Sequence, residues 1–115
     1  MPTAYFGTLI YTVLPGNTLS TIAHNYNTTV ENILKFNHIP NPNQTFPSQK
    51  ITLPLSPPES ITYTVKPYDN LYRIALKYNT LVANLIKFNY LIPPYYLHPG
   101  QKLVVTASLR EYDKF

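Results

Sequence analysis

Few side chains in this chain could act on a covalent bond. Its first patterned half holds one carboxylate, Glu31, and its second holds one, Asp69. Glycoside hydrolysis requires two carboxyl groups roughly 5–9.5 Å apart, and neither half supplies the pair. His24, His38 and His98 stand isolated, with no serine and acid at a spacing that suggests a Ser-His-acid relay. Cysteine is absent, which removes thiolate chemistry, thiolate metal sites and disulfides. These residues predict a protein that is not an enzyme and carries no cofactor and no metal.

What the residues can do is bind. Of 115 residues only 12% are charged, so Asn, Thr, Ser, Gln and Tyr must supply most of the polar surface, which suits a neutral polar ligand such as a sugar. The net charge of +4 is uneven. Lys35 and Lys50 face Glu31 in the first half, whereas Lys66, Arg73, Lys77, Lys87 and Lys102 face only Asp69 in the second. These cations are scattered over different faces, with no cluster or RNA-recognition motif, so nucleic acid is not expected as a partner. Seven of the 11 tyrosines (Tyr63, Tyr68, Tyr72, Tyr78, Tyr90, Tyr95 and Tyr96) lie in the second half, and the Tyr95-Tyr96 pair suits a contact surface. No apolar run reaches the ~18 residues of a membrane span. The first residues lack the basic and apolar regions of a secretory signal.

The elements that position these residues are set by a duplication. Tyr11-Thr12-Val13 recurs as Tyr63-Thr64-Val65, an offset of 52. The same offset carries Ile22-Ala23 onto Ile74-Ala75, Tyr26-Asn27-Thr28 onto Tyr78-Asn79-Thr80, Lys35-Phe36-Asn37 onto Lys87-Phe88-Asn89, and Gln49-Lys50 onto Gln101-Lys102. Ordered, ungapped matches mark an internal repeat.

Within the first unit, Thr8 to Val13 reads as a strand, broken by Pro15-Gly16. Leu19, Ile22, Ala23 and Tyr26 form one stripe of a short helix, with Asn17 or Thr18 as its N-cap. Thr28 and Glu31 read as a capping box for a second helix carrying Val30, Ile33, Leu34 and Phe36. Asn37 is expected to end that helix in a left-handed conformation. A proline- and asparagine-rich loop follows, and Lys50 to Leu53 returns as a strand closed by Pro54. The second unit repeats this order, with stripes Leu71, Ile74, Ala75, Tyr78 and Val82, Leu85, Ile86, Phe88, and a return strand at Lys102 to Val105. The expected fold class is α+β: two tandem β-α-α-β modules, each with two helices on a two-stranded antiparallel sheet. The expected divisions are a lead-in (1–10), module 1 (11–54), a Pro-rich linker (55–62), module 2 (63–106) and a polar tail of weak helical character (107–115). Pro57-Pro58 favours an extended spacer that keeps the modules apart; the alternative is that the modules dock and the linker fixes the docking.

Tyr-Thr-Val-x-Pro-Gly-Asn-Thr-Leu-x-x-Ile-Ala, at Tyr11 to Ala23, resembles the opening motif of the LysM domain, which usually has Asp where this chain has Asn17. Asn37, Asn41-Pro42-Asn43 and Phe46-Pro47-Ser48-Gln49-Lys50-Ile51 resemble its closing segment, which commonly has Pro-Gly-Gln. The resemblance implies binding of N-acetylglucosamine-containing glycans, peptidoglycan or chitin-type, in a shallow groove between two loops. Carried onto this chain, the first groove sets Gly16, Asn17, Thr18 and Leu19 against Ile39, Pro40, Asn41 and Pro42. The second sets Tyr68, Asp69, Asn70 and Leu71 against Leu91, Ile92, Pro93 and Pro94. Loop backbone groups can pair with the N-acetyl amide, and small apolar side chains can receive its methyl. Leu19 and Leu71 also lie on core stripes, and Asn17 and Asp69 also read as helix caps. Each copy departs from the motif at one glycine: Tyr68 stands where the first copy has Gly16, and Ser48 where the second has Gly100. Tyr68 is expected either to block the second groove or to stack on a sugar face.

The function expected is therefore non-catalytic glycan binding at a bacterial cell wall, spore or extracellular surface. The alternative is a structural protein of a spore or cell envelope, whose modules assemble with envelope or spore-coat proteins. Asn27-Thr28-Thr29 and Asn43-Gln44-Thr45 are formal glycosylation acceptors, relevant only in a eukaryotic secretory route.

Overall fold

The computed structural model describes residues 4–106, and the expected weak helicity of the tail lies outside the described residues. The element order is β1 (Thr8–Thr12), α1 (Leu19–Asn25), α2 (Val30–Phe36), β2 (Lys50–Pro54), β3 (Ile61–Thr64), α3 (Leu71–Lys77), α4 (Val82–Phe88) and β4 (Lys102–Val105). β1 pairs antiparallel with β2, Tyr11 opposite Ile51, and β3 pairs with β4, Tyr63 opposite Leu103. β1 and β3 start ahead of the repeat boundaries at 11 and 63, because backbone pairing continues past the matching residues.

Two-stranded sheets of this size are marginal alone, so the helices must cover one face. In module 1 Val13, Leu19, Ile22, Ala23, Ile33, Ile51 and Leu53 form the core, with Tyr11, Tyr26, Val30, Leu34 and Ile39 packed against it. In module 2 Tyr63, Val65, Ile74, Ala75, Leu85, Leu103 and Val105 do the same, backed by Leu71, Tyr78, Val82 and Leu97. Both predicted first-helix stripes thus face inward. Each buried aliphatic side chain stabilises by about 1.5–3 kcal/mol. Truncating fully buried Ile33 or Leu85 removes about 2–5 kcal/mol, a large share of what so small a core supplies.

The helix ends differ from expectation in an instructive way. Of the two candidates for α1, Thr18 is the cap, its hydroxyl accepting from the Thr21 N–H at 3.1 Å. Asn70, not Asp69, caps α3, accepting from the Arg73 N–H at 2.8 Å. Thr29 rather than Thr28 caps α2, accepting from the Asn32 N–H. Glu31 is therefore not half of a capping box; its carboxylate accepts from the backbone N–H of Lys102 in the other module at 3.1 Å. Asn37 is extended (φ −139°) rather than left-handed. Its amide donates to the Ile33 and Thr52 carbonyls and accepts from the Thr52 N–H. Asn89 does the same for Leu85 and Val104. The repeated Lys-Phe-Asn thus staples the end of the second helix to the returning strand.

The modules are docked, not spaced. Pro57 is buried, and the Ser60 N–H donates to the Pro57 carbonyl at 3.0 Å, closing a turn where an extended spacer was expected. Proline at the second position of such a turn favours it. Across the junction Lys35 Nζ donates to the Asn89 carbonyl at 2.6 Å, and Asn32 donates to Asn89 Oδ1 at 3.3 Å. Burial lowers the Lys35 pKa, an effect that nearby Glu31 opposes. The Phe36 and Tyr90 rings meet edge-on, with centroids 4.9 Å apart. Tyr5 and Phe6, ahead of β1, pack on Phe88 of the other module. Burial, with Tyr5 beside it, pushes the Tyr90 hydroxyl up to about 12.

Candidate functional site

The loop between β1 and α1 is built around one side chain. Asn17 Oδ1 accepts from the Leu14 N–H and from the Tyr11 hydroxyl, both at 2.8 Å. This side-chain turn holds Gly16 in a left-handed conformation, φ +86°, with open space where a Cβ would stand. The next residues, Thr18 and Leu19, begin α1; Thr18 caps it and Leu19 points into the core. The facing loop is shaped by Asn41, whose side chain accepts from the Asn43 N–H at 3.0 Å and whose carbonyl accepts from the Gln44 N–H. Ile39 anchors that loop to the core, while Pro40, Asn41 and Pro42 are exposed.

The two loops meet. The Thr45 hydroxyl donates to the Asn17 carbonyl at 3.0 Å, tying one wall to the other. Between them lies a cleft of ≈260 Å³ lined by Thr18, Leu19, Ser20, Val30, Pro42, Asn43 and Thr45. Of the eight residues expected at this groove (Gly16, Asn17, Thr18, Leu19, Ile39, Pro40, Asn41 and Pro42), Thr18, Leu19 and Pro42 line it directly. Gly16 and Asn17 form the turn beside it. Ser20, Val30, Asn43 and Thr45 were missed. Asn43 and Thr45 sit in a stretch without periodicity, where the sequence carries no signal for which hydroxyl or amide turns inward.

Module 2 keeps the turn and changes its chemistry. Asp69 Oδ2 accepts from the Tyr63 hydroxyl at 2.5 Å and from the Lys66 N–H at 2.8 Å. The Tyr63 bond, then the Lys66 bond, hold the Asp69 carboxyl below its ordinary range, and the same pairing pushes the Tyr63 hydroxyl up to about 12. Tyr68 occupies the glycine position at φ +70° and is 95% exposed, so its ring projects away from the turn instead of filling it. Leu71 packs against the core.

The loop expected to face this turn is used differently. Leu91 and Ile92 line a cleft of ≈470 Å³ with Lys35, Tyr90, Tyr95 and Tyr96, so this hollow includes a side chain of module 1 and none of Tyr68 to Leu71. Pro93 and Pro94 are exposed and joined by a cis peptide bond. A third hollow, ≈580 Å³, lies between the modules, against the α1–α2 turn and the strands β3 and β4. Among the described residues no cluster of His, Cys, Asp or Glu could hold a metal ion, and no helix is long and apolar enough to cross a membrane.

A family model for the LysM domain matches residues 11–54 and 63–106. Among solved structures, the spore cortex-lytic enzyme SleL of Bacillus cereus is similar at 34% identity over 90% of this chain and 24% of that one, with a TM-score of 0.41. SleL of Bacillus megaterium QM B1551 is similar at 25% identity over 92% of this chain and 24% of that one, with a TM-score of 0.44. The LYK3 ectodomain is similar at 24% identity over 87% of this chain and 54% of that one, with a TM-score of 0.36. The chain thus spans about a quarter of the length of either SleL protein.

Proposed function

The chain belongs to the LysM family, and on that footing we propose that it binds N-acetylglucosamine-containing glycans without cleaving them, chiefly through the loop cleft of module 1. Carbohydrate binding in general follows from the family. The observation that supports this particular cleft is the Thr45–Asn17 bond, which presents two facing loops as one preformed surface. A preformed surface loses little conformational entropy on binding. At ≈260 Å³ the cleft is smaller than the roughly 300–1,000 Å³ of deep ligand sites, which predicts weak binding by a single module. Module 2 (Tyr68, Asp69, Asn70 and Leu71 facing Leu91, Ile92, Pro93 and Pro94) is proposed as the weaker site, in which exposed Tyr68 stacks on a sugar face or the module, through core residues such as Leu71, serves mainly in packing.

A cell-wall, spore or extracellular setting, bacterial by preference, is part of this proposal. A second reading, assembly with envelope or spore-coat proteins, draws on a different surface: Ile92 is 78% and Tyr96 83% exposed, and both line the same hollow in the loop between α4 and β4. The two readings are compatible, since a wall-bound protein can present that face to a partner.

Pull-down on insoluble peptidoglycan and on chitin, with cellulose as control, tests the proposal. Retention on either of the first two and not on cellulose is expected. Equal retention on cellulose, or none on any, would reject it. Release of soluble products from either polymer would reject the non-catalytic half.

A further inference from the structure

The hollow between the modules adjoins the cleft of module 1. Ser20 and Val30 line both, so the trough between the modules and the cleft border one another at that pair. Beyond the seam, His24 stands on the wall from module 1, and Thr62, Thr64 and Lys102 stand on the wall from module 2. Thr62 and Thr64 lie two residues apart on β3, which puts them on one face of the strand, opposite buried Tyr63. Lys102 Nζ donates to the Thr64 hydroxyl at 3.0 Å, and the Lys102 N–H donates to Glu31 across the junction. The Lys102–Glu31 bond thus ties the two walls together.

Resting on the proposed function, we propose that this trough carries the continuation of a glycan chain seated in module 1, so that the sugars beyond the first groove lie between the modules. The lining selects the ligand class. Of the five hydroxyl-bearing side chains that line it, Ser20, Thr62 and Thr64 lie outside the α1–α2 turn and offer both donors and acceptors. The Lys102 ammonium and the Glu31 carboxylate offset one another on opposite walls, so the trough favours a neutral, hydroxyl- and amide-bearing ring over an anion. At ≈580 Å³ the hollow falls within the roughly 300–1,000 Å³ of ligand sites. Thr28, on the same wall, keeps a buried hydroxyl with no hydrogen-bond partner among the described residues.

The test uses the full chain, an N-acetylglucosamine trimer and an octamer, and the double variant Thr62→Val, Thr64→Val. Valine keeps the shape and favours the strand, so the fold should survive, as circular dichroism will verify. Octamer binding by the variant is expected to weaken about tenfold, equivalent to about 1.4 kcal/mol, with trimer binding unchanged. Unchanged octamer affinity in the variant would overturn the proposal, as would equal weakening of both oligomers. If the unaltered chain binds the trimer and holds the octamer no more tightly, the trough alone fails. If it binds neither, the proposed function fails with it.

Discussion

The turn after the first strand is made twice in this molecule from different residues. Module 1 uses Gly16 at φ +86°, module 2 uses Tyr68 at φ +70°, and the backbone is left-handed in both. At the other loop the exchange is reversed, with Ser48 at φ +71° answering Gly100 at φ +90°. The glycine is therefore not what makes the turn. In each module an Asx side chain makes it, by accepting from a backbone N–H three residues earlier and from the tyrosine hydroxyl of the preceding strand. Once that bond is formed the left-handed position is imposed, and a non-glycine residue there costs about 1–2 kcal/mol without changing the path of the chain. Glycine then matters for what it leaves open: a clear approach in module 1, an exposed ring in module 2.

The asparagine staples give the widest separation between the copies. Asn89 is 1% exposed beneath the docked modules, and also accepts from Asn32, whereas Asn37 is half-buried. Asn89→Ala strands the backbone N–H and carbonyl of Val104 in the interior and should destabilise by about 3 kcal/mol, an unsatisfied buried group costing about 1–3 kcal/mol. Asn37→Ala should cost about half as much, because its partners can turn to water. Urea denaturation compares the two, and equal losses would mean that docking adds nothing to the second staple.

The glycine exchange comes next in size. Gly16→Tyr should destabilise by about 1 kcal/mol and Tyr68→Gly should stabilise by up to about 1 kcal/mol, the relief of strain being partly offset by the extra freedom of an unfolded glycine. Ser48→Gly should behave as Tyr68→Gly does. Thermal melts of the three variants measure this, and a stabilising Gly16→Tyr would break the account of the turn.

The smallest effect expected is one of pH. The bonds from Tyr63 and Lys66 hold the Asp69 carboxyl below its ordinary value. Such a group contributes stability above its unfolded pKa of about 3.9 and loses it as the pH falls through the lower folded value. Acid should therefore loosen the turn of module 2 and leave that of module 1, where Asn17 does not titrate. Amide shifts of Lys66 and Asp69 followed below pH 5 report this, and Asp69→Asn should abolish it.

Much of this architecture is legible in the residues. The stripes Leu19-Ile22-Ala23 and Ile74-Ala75 appear because a helix that covers a sheet must repeat its apolar positions. The cap of α3 falls one residue past Asp69, and that of α1 on the second of its two candidates, because Asn17 and Asp69 suit either a cap or a turn, and only the tyrosine six positions earlier decides which. Docking is not legible. Tyr5, Phe6, Phe36 and Tyr90 meet across the junction from positions with no shared period, and Glu31 reaches Lys102 from 71 residues away. The candidate cleft shows in sequence as two loop segments, and the hydroxyl of Thr45 that joins them does not, since nothing local dictates where it turns.

The measurement that bears most directly on the difference between the modules is a residue-resolved NMR titration of the full chain with an N-acetylglucosamine trimer. The first and largest amide shifts are predicted at Gly16 to Ser20, Asn43 and Thr45, with Tyr68 to Leu71 moving later or not at all. Shifts that begin at Tyr68 to Leu71 and Leu91 to Ile92 while the first cleft stays silent would contradict the assignment of module 1 as the principal site.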